Sequence, residues 1–451
     1  MEPQKANRGF EPDAMYGNIY SRAQAYAVLA MMVLITVSLD LAKLPMHVMV
    51  DPIRKTLAIS DVQISLALGA VGAVPFVVMS LVGGWLSDRF SRRLLMSIAI
   101  VIWTLGAMTC AFAGSFELLV AGRLLLFIGA GMKLPVVMTW INDAFPPEQR
   151  GRAVGAFFVV LGSGPSLAIM LAGTVQRLAE SGAFVSLGLA LGSEPWRATT
   201  FLLALPGILM VPLVFGLRDR RVQPVADSKP AAPSAQQAAE MPIKLIVTLV
   251  SAAALVALVD AASLSWMPTV FTRSFGYDVQ EAGFTFGIIT LIAGSAGPLL
   301  GGWVGDTLYR RHGLAGRVWL AAVSALCCVP LLAVYLVSAP AWLVVALTLN
   351  GVCTVAALSL TYVNAQALLP ENRRGLGTGM ISATTTIVAS AGPTLVALSS
   401  QHLLSGPMAL PHSIALVGAV GSVLAAFVLA DCARRVGLTG VNRPFVAPHH
   451  Q

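Results

Sequence analysis

The feature that most constrains this chain is a succession of apolar runs of roughly 20 residues, the length a helix needs to cross about 30 Å of hydrocarbon. Twelve are read. Six fall at about 25–48, 62–84, 94–113, 118–141, 153–175 and 197–217, and six more at about 243–268, 282–304, 318–338, 342–367, 377–399 and 412–432. In lipid every backbone polar group must find its partner within the segment, so runs of this length fold as helices. An all-α membrane protein is expected. Of 451 residues 57% are hydrophobic and only 11% charged, well under the roughly 25% of a soluble domain.

The net charge of +8 would suggest nucleic acid in a polar protein, but here the basic residues occupy short loops between apolar runs. With the amino terminus inside, twenty Lys and Arg fall on the inner side, and five (Arg54, Lys55, Arg177, Arg197 and Arg273) on the outer. Positive residues are retained in the cytoplasm. A multi-pass protein of the inner (plasma) membrane with both termini cytoplasmic is therefore expected, with no nucleic-acid partner. About 22 polar residues precede a first run long enough to span, so no cleavable leader is expected.

The expected organisation is a cytoplasmic tail at 1–24, a six-helix unit at 25–217, a linker at 218–242, a second unit at 243–432 and a tail at 433–451. The linker, rich in Pro, Ala, Ser and Gln, reads as flexible. No GxxxxGK[ST] occurs, which excludes an ATP-driven pump. Cys110, Cys327, Cys328, Cys353 and Cys432 show no metal-ligand spacing and read as small buried residues. No Ser/His/Asp constellation stands out, so neither an enzyme nor a cofactor is expected.

The two units repeat one another. Gly84-Trp85-Leu86-Ser87-Asp88-Arg89-Phe90-Ser91-Arg92-Arg93 returns 218 residues later as Gly302-Trp303-Val304-Gly305-Asp306-Thr307-Leu308-Tyr309-Arg310-Arg311. Asp61-Val62-Gln63 returns as Asp278-Val279-Gln280, and Pro147-Glu148-Gln149-Arg150 as Pro370-Glu371-Asn372-Arg373. Asp61, after Ser60, suits a helix N-cap.

These residues resemble the major facilitator superfamily, whose fold joins two six-helix bundles related by an axis along the membrane normal. Gly84, Asp88, Arg89 and Arg92 match its loop motif G-x-x-x-D-R-x-x-R-[RK], and Gly302, Asp306 and Arg310 match it again. Within that superfamily the chain resembles the bacterial spinster-like branch, through Trp196-Arg197-Ala198, Leu205-Pro206-Gly207, Trp266-Met267-Pro268 and Glu281-Ala282-Gly283. The resemblance implies secondary transport by alternating access, with the two motif copies as gating elements. It departs in two places. Asp40 is followed by Leu41 where the branch has Arg, and Ala130 stands seven residues after Arg123 where it has Glu, so coupling through that Glu does not carry over.

Ionisable residues within a span cost several kcal/mol unless paired or wet, which makes each a functional candidate. Asp40 and Asp260 sit at matching depths in the first helices of the two units. Asp40 has an alternative partner in Lys43 at i,i+3. Arg123 is either an ion-pair partner of Asp40 or a clamp for a substrate anion. Lys133, about 15 Å deeper and within about 80° of the same helix face, either snorkels or meets something negative. With two acids against three bases, the spans lean positive by one, which favours an anionic substrate. Asn350, Tyr362, Asn364 and Gln366 either bind substrate or join helices.

The expected function is a secondary transporter of a small organic solute, an organic anion, acting as a monomer with protons as a candidate coupling ion. A proton-coupled exporter of drugs or lysolipid-like amphiphiles is the alternative.

Overall fold

The computed structural model describes residues 20–87, 89–184, 194–219, 243–332, 340–369 and 374–438. Among them, the helical segments long and apolar enough to cross a membrane are Arg22–Val48, Asp61–Ser87, Arg92–Ala111, Phe116–Ala144, Gln149–Glu180 and Pro195–Gly216, then Ile243–Phe275, Val279–Val329, Trp342–Ala367, Gly379–His402 and Ala409–Leu438. The long helix Val279–Leu332 is two spans, because Gly313, at φ 67° and ψ −159°, breaks it. Counted in chain order the spans therefore reach twelve. Asp88, the linker from 220 to 242 and Pro370-Glu371-Asn372-Arg373 lie outside the described residues.

Several helices outrun the apolar runs that announce them. The fifth starts at Pro147 and ends at Glu180, the eighth continues to the break at Gly313, and the twelfth reaches Leu438, six residues into the expected tail. Hydropathy marks where hydrocarbon begins, whereas a helix stops only where its terminal N–H and C=O groups find other partners.

Local chemistry fixes the starts. Ser60 accepts from the Gln63 amide while Gln63 returns a bond to the Ser60 N–H, so Ser60, not Asp61, caps the second span. Asp61 is thereby free for other work. At the matching site Asp278 is itself the cap, exchanging bonds with Glu281. The first helix, Arg22–Lys43, stops before Pro45 and gives way to a short helix, Val50–Leu57. Inside the second span Leu66–Ala70 forms a π-helical turn, which widens the helix and turns carbonyls off their usual partners.

Each half packs its own core, the first around Met32, Trp103, Val136 and Trp140, the second around Leu249, Val318, Ala357 and Leu429. A third cluster draws on both halves, joining Met49, Val50 and Ile64 to Trp266, Val270, Phe286 and Val396. Small residues let helices approach closely: a Cβ on Gly131 of the fourth span would lie 2.4 Å from the Phe76 carbonyl oxygen of the second. Cys110, Cys328 and Cys432 are buried as expected, but Cys353 is half-buried and Cys327 is exposed.

Candidate functional site

Asp40, Lys43 and Lys133 converge inside the first half. Asp40 and Lys133 are each 6% exposed, and Lys43 and Lys133 are the charges that act on the Asp40 carboxylate. None of the three closes into an ion pair among the described residues. Asp40 Oδ2 is buried without a hydrogen-bond partner, facing the bare backbone of Gly164, where a Cβ would stand 2.6 Å away. The i,i+3 pair of Asp40 with Lys43 therefore does not form, even though helical spacing permits it.

Arg123 corrects the sequence reading more sharply. Only 1% exposed, it pairs with no carboxylate. Its Nε donates to Ala67 O at 2.8 Å, Nη1 to Lys43 O at 3.1 Å and Nη2 to Leu68 O at 3.1 Å, and its guanidinium lies 4.9 Å from the Phe127 ring centroid. Two of those carbonyls belong to the π turn and the third to the last residue of the first helix, both places where backbone acceptors lose their regular donors. Arg123 ties spans one, two and four together and is occupied by doing so.

Between the halves lies a cavity of about 560 Å³, bordered by Gly162 and Pro165 of the fifth span, Asp260 and Met267 of the seventh, and Asn350 and Ser359 of the tenth. Of the polar candidates in the tenth span, Asn350 borders this cavity but donates its amide to Cys328 O at 3.2 Å. Tyr362 shares a 2.6 Å hydrogen bond with Thr385, and Asn364 accepts from Arg317 Nε at 2.6 Å. Tyr362 and Asn364 thus join helices.

At one end of the molecule the halves are held together by charge. Arg273, closing the seventh span, reaches both Asp51 and Asp61 of the first half, its contacts to Asp61 being 2.9 Å. Arg54 adds a 3.4 Å contact to Asp61. Arg177 of the fifth span meets Asp278 at 2.9 Å. Beside these, Ser65 meets Thr394, and a Cβ on Gly69 would lie 3.2 Å from Ser390 O. The sequence alone pointed to Asp61 only as a helix cap and to Arg273 only as an outer charge, and to no pairing of Asp51, Asp61 and Arg273 across the halves. The repeated Asp-Val-Gln was the available signal, since both of its aspartates meet arginines of the opposite half.

At the other end sit the two loop motifs. Arg92 opens the third span, buried, with its guanidinium on Asp143 near the end of the fourth. Its backbone N–H and the Ser91 hydroxyl both donate to Asp219 Oδ2, at 2.9 and 2.8 Å, just after the sixth span. Arg89 lies over the Trp85 ring at 4.0 Å. A Cβ on Gly84 would make only an ordinary 3.9 Å contact with Pro135 Cβ, and Gly83 makes the close approach, 3.0 Å from a built Cβ to Met132 Cα. Asp88 cannot be placed in this network, since it lies outside the described residues.

The second copy is arranged differently. Gly302 faces open space and Gly305 packs instead, against Leu360. Asp306 and Arg310 are exposed. The buried arginine is Arg317, at the start of the ninth span as Arg92 is at the start of the third. It sits 3.9 Å from Asp306 and 4.6 Å from the Tyr309 ring, in addition to its bond to Asn364. The matching letters at Arg310 fall on the surface because the eighth helix runs on past them.

The chain matches the family model described as Major Facilitator Superfamily over residues 23–393 and again over 249–442. It is 23% identical to the hexuronate transporter of Bacillus subtilis over 396 residues, 82% of this chain and 89% of that protein. It is 26% identical to a probable sulfoacetate transporter of Cupriavidus necator over 284 residues, 58% and 60% of the two chains. A solved structure titled as a bacterial homologue of the human lysosomal transporter spinster, inward-facing and occupied, superposes with a TM-score of 0.77 at 21% identity, covering 95% of this chain and all of that one. With a twelve-helix fold and a family model that spans most of its length, this chain belongs to the Major Facilitator Superfamily of membrane transporters.

Proposed function

We propose that this protein is a secondary transporter of small organic anions, working by alternating access with its termini in the cytoplasm. The observation that carries the reading is Lys133, buried beside Lys43 and Asp40 and closed into no ion pair among the described residues. A lysine held in that way costs several kcal/mol in a membrane interior. A bound carboxylate or sulfonate would relieve the cost, and it would do so only when the carrier is loaded. The relatives named for hexuronate and for sulfoacetate, both anions, support the same substrate class.

In this orientation the Arg273 end faces outward, and the ion pairs there close it. The cavity beside Asp260 then opens inward, in keeping with the inward-facing neighbour. Arg92 and Asp143 act as a clasp within the first half, around which the bundles rock.

The apolar wall of the cavity, with Met267 and Phe286, favours a second reading as an exporter of amphiphiles. Ligand-induced thermal stabilisation of the purified protein separates the two. Glucuronate is expected to raise the melting temperature of the wild type and to bind Lys133→Met at least tenfold more weakly, since a charge-assisted hydrogen bond is worth about 1.5–3 kcal/mol. Unchanged glucuronate affinity in Lys133→Met, or stabilisation by lysophosphatidylcholine alone, would contradict the proposal.

A further inference from the structure

The break at Gly313 builds a second cavity, remote from the one between the halves. Where the eighth helix ends and the ninth turns back, a groove of about 620 Å³ opens on the outer surface of the second half. Gly316 sets its depth. A Cβ there would stand 2.8 Å from His312 Cβ and 2.9 Å from Leu308 O, so only a bare backbone lets the two helices meet so closely.

The two walls have matched chemistry. Leu308, Arg311 and His312 share one face of the eighth helix at i, i+3 and i+4, and Trp319, Leu320 and Val323 share one face of the ninth. Arg311 and His312 are exposed at the membrane-boundary end of the groove and form no ion pair among the described residues. Asp306, the nearest acid in sequence, lies 3.9 Å from Arg317. From this charged rim the groove runs toward the hydrocarbon. Trp319 and Val323 are 40% and 51% exposed there, and Leu326 extends the same apolar stripe at 53%. Trp at a span end is the side chain that anchors at the headgroup boundary.

We propose that this groove is a binding site for an anionic phospholipid of the phosphatidylglycerol type. Its phosphate sits on Arg311 and His312, and one acyl chain lies along Trp319, Leu320 and Val323. Charge complementarity selects the occupant: arginine presents a planar fork of donors suited to phosphate oxygens, and basic pockets at the ends of spans take anionic headgroups. A zwitterionic lipid offers the same chains, but its choline places a positive charge against the same rim.

The test is native mass spectrometry of the full chain, delipidated in detergent and titrated with phosphatidylglycerol, phosphatidylcholine or glycerol phosphate. Phosphatidylglycerol is expected to bind at least tenfold tighter than phosphatidylcholine, and glycerol phosphate not to bind measurably. The double variant Arg311→Gln/His312→Gln is expected to erase the preference between the two lipids, while Arg434→Gln, an exposed basic residue at the end of the twelfth helix, leaves it intact. Equal affinity for the two lipids would overturn the proposal, as would equal losses in both variants. Glycerol phosphate binding as tightly as the lipid would reassign the groove to a soluble phosphate. If the double variant proves unstable, photoactivatable phosphatidylglycerol on the wild type decides instead: cross-links are expected within 308–323, and cross-links found only elsewhere would refute the site.

Discussion

Three carbonyls held by one guanidinium explain why Arg123 is buried in a membrane helix without a counter-ion. A lysine ammonium has three donors, but they radiate from one nitrogen and cannot span three carbonyls that three separate guanidinium nitrogens now reach. Arg123→Lys is therefore expected to leave at least one acceptor unsatisfied at about 1–3 kcal/mol. Thermal unfolding in detergent should show a clear fall in melting temperature, and an unchanged value would mean that the three bonds contribute little. Asp40 and Gly164 make a second test at this scale. A methyl at 164 would meet Asp40 Oδ2, the free end of a flexible side chain. Gly164→Ala should therefore displace the carboxylate without unfolding the protein, raising KM at near-normal melting temperature. Both residues show the limit of the sequence. It marked Asp40, Arg123 and Lys133 as too costly to be accidental, but it could not reveal which were already satisfied. The acceptors of Arg123 come from a π turn and a helix end, and backbone irregularities leave no side-chain signature.

Helices were the most legible level, because a run of apolar residues leaves the backbone one way to satisfy itself in lipid. Their ends and their kinks were less so. The Gly302-to-Arg311 stretch repeats its partner by letter, yet it folds as continuous helix until Gly313, leaving Arg310 exposed and giving the buried position to Arg317. A short motif records residue types and not where the helix stops. Contact between elements is tested at Gly131, where the second and fourth spans approach through backbone. Gly131→Ala forces a Cβ against the Phe76 carbonyl and should destabilise by about 1–3 kcal/mol. A wild-type melting temperature would show that the two helices separate without cost.

At the scale of the whole molecule, cross-half ion pairs tie the two bundles together at one end. Arg273 holds two carboxylates of the opposite half, and its replacement leaves Asp51 and Asp61 to Arg54 of their own half, with no tie from Arg273 across the halves. Arg273→Gln is expected to shift the carrier toward opening at that end, read as longer distances between spin labels on the first and second halves there. An unaltered distance distribution would remove these pairs from the gate. The two-half plan was legible because duplication is a property of sequence. The Arg273 ion pairs were not, because their partners are more than 200 residues apart and meet only in the folded chain.

Transport itself is tested most directly by counterflow in proteoliposomes loaded with unlabelled glucuronate and diluted into trace labelled glucuronate. A carrier with its anion site at Lys133 predicts a transient, saturable overshoot of label that is lost in Lys133→Met and retained in Arg310→Gln. Label entry that shows no overshoot, or an overshoot equally large in Lys133→Met, would contradict it.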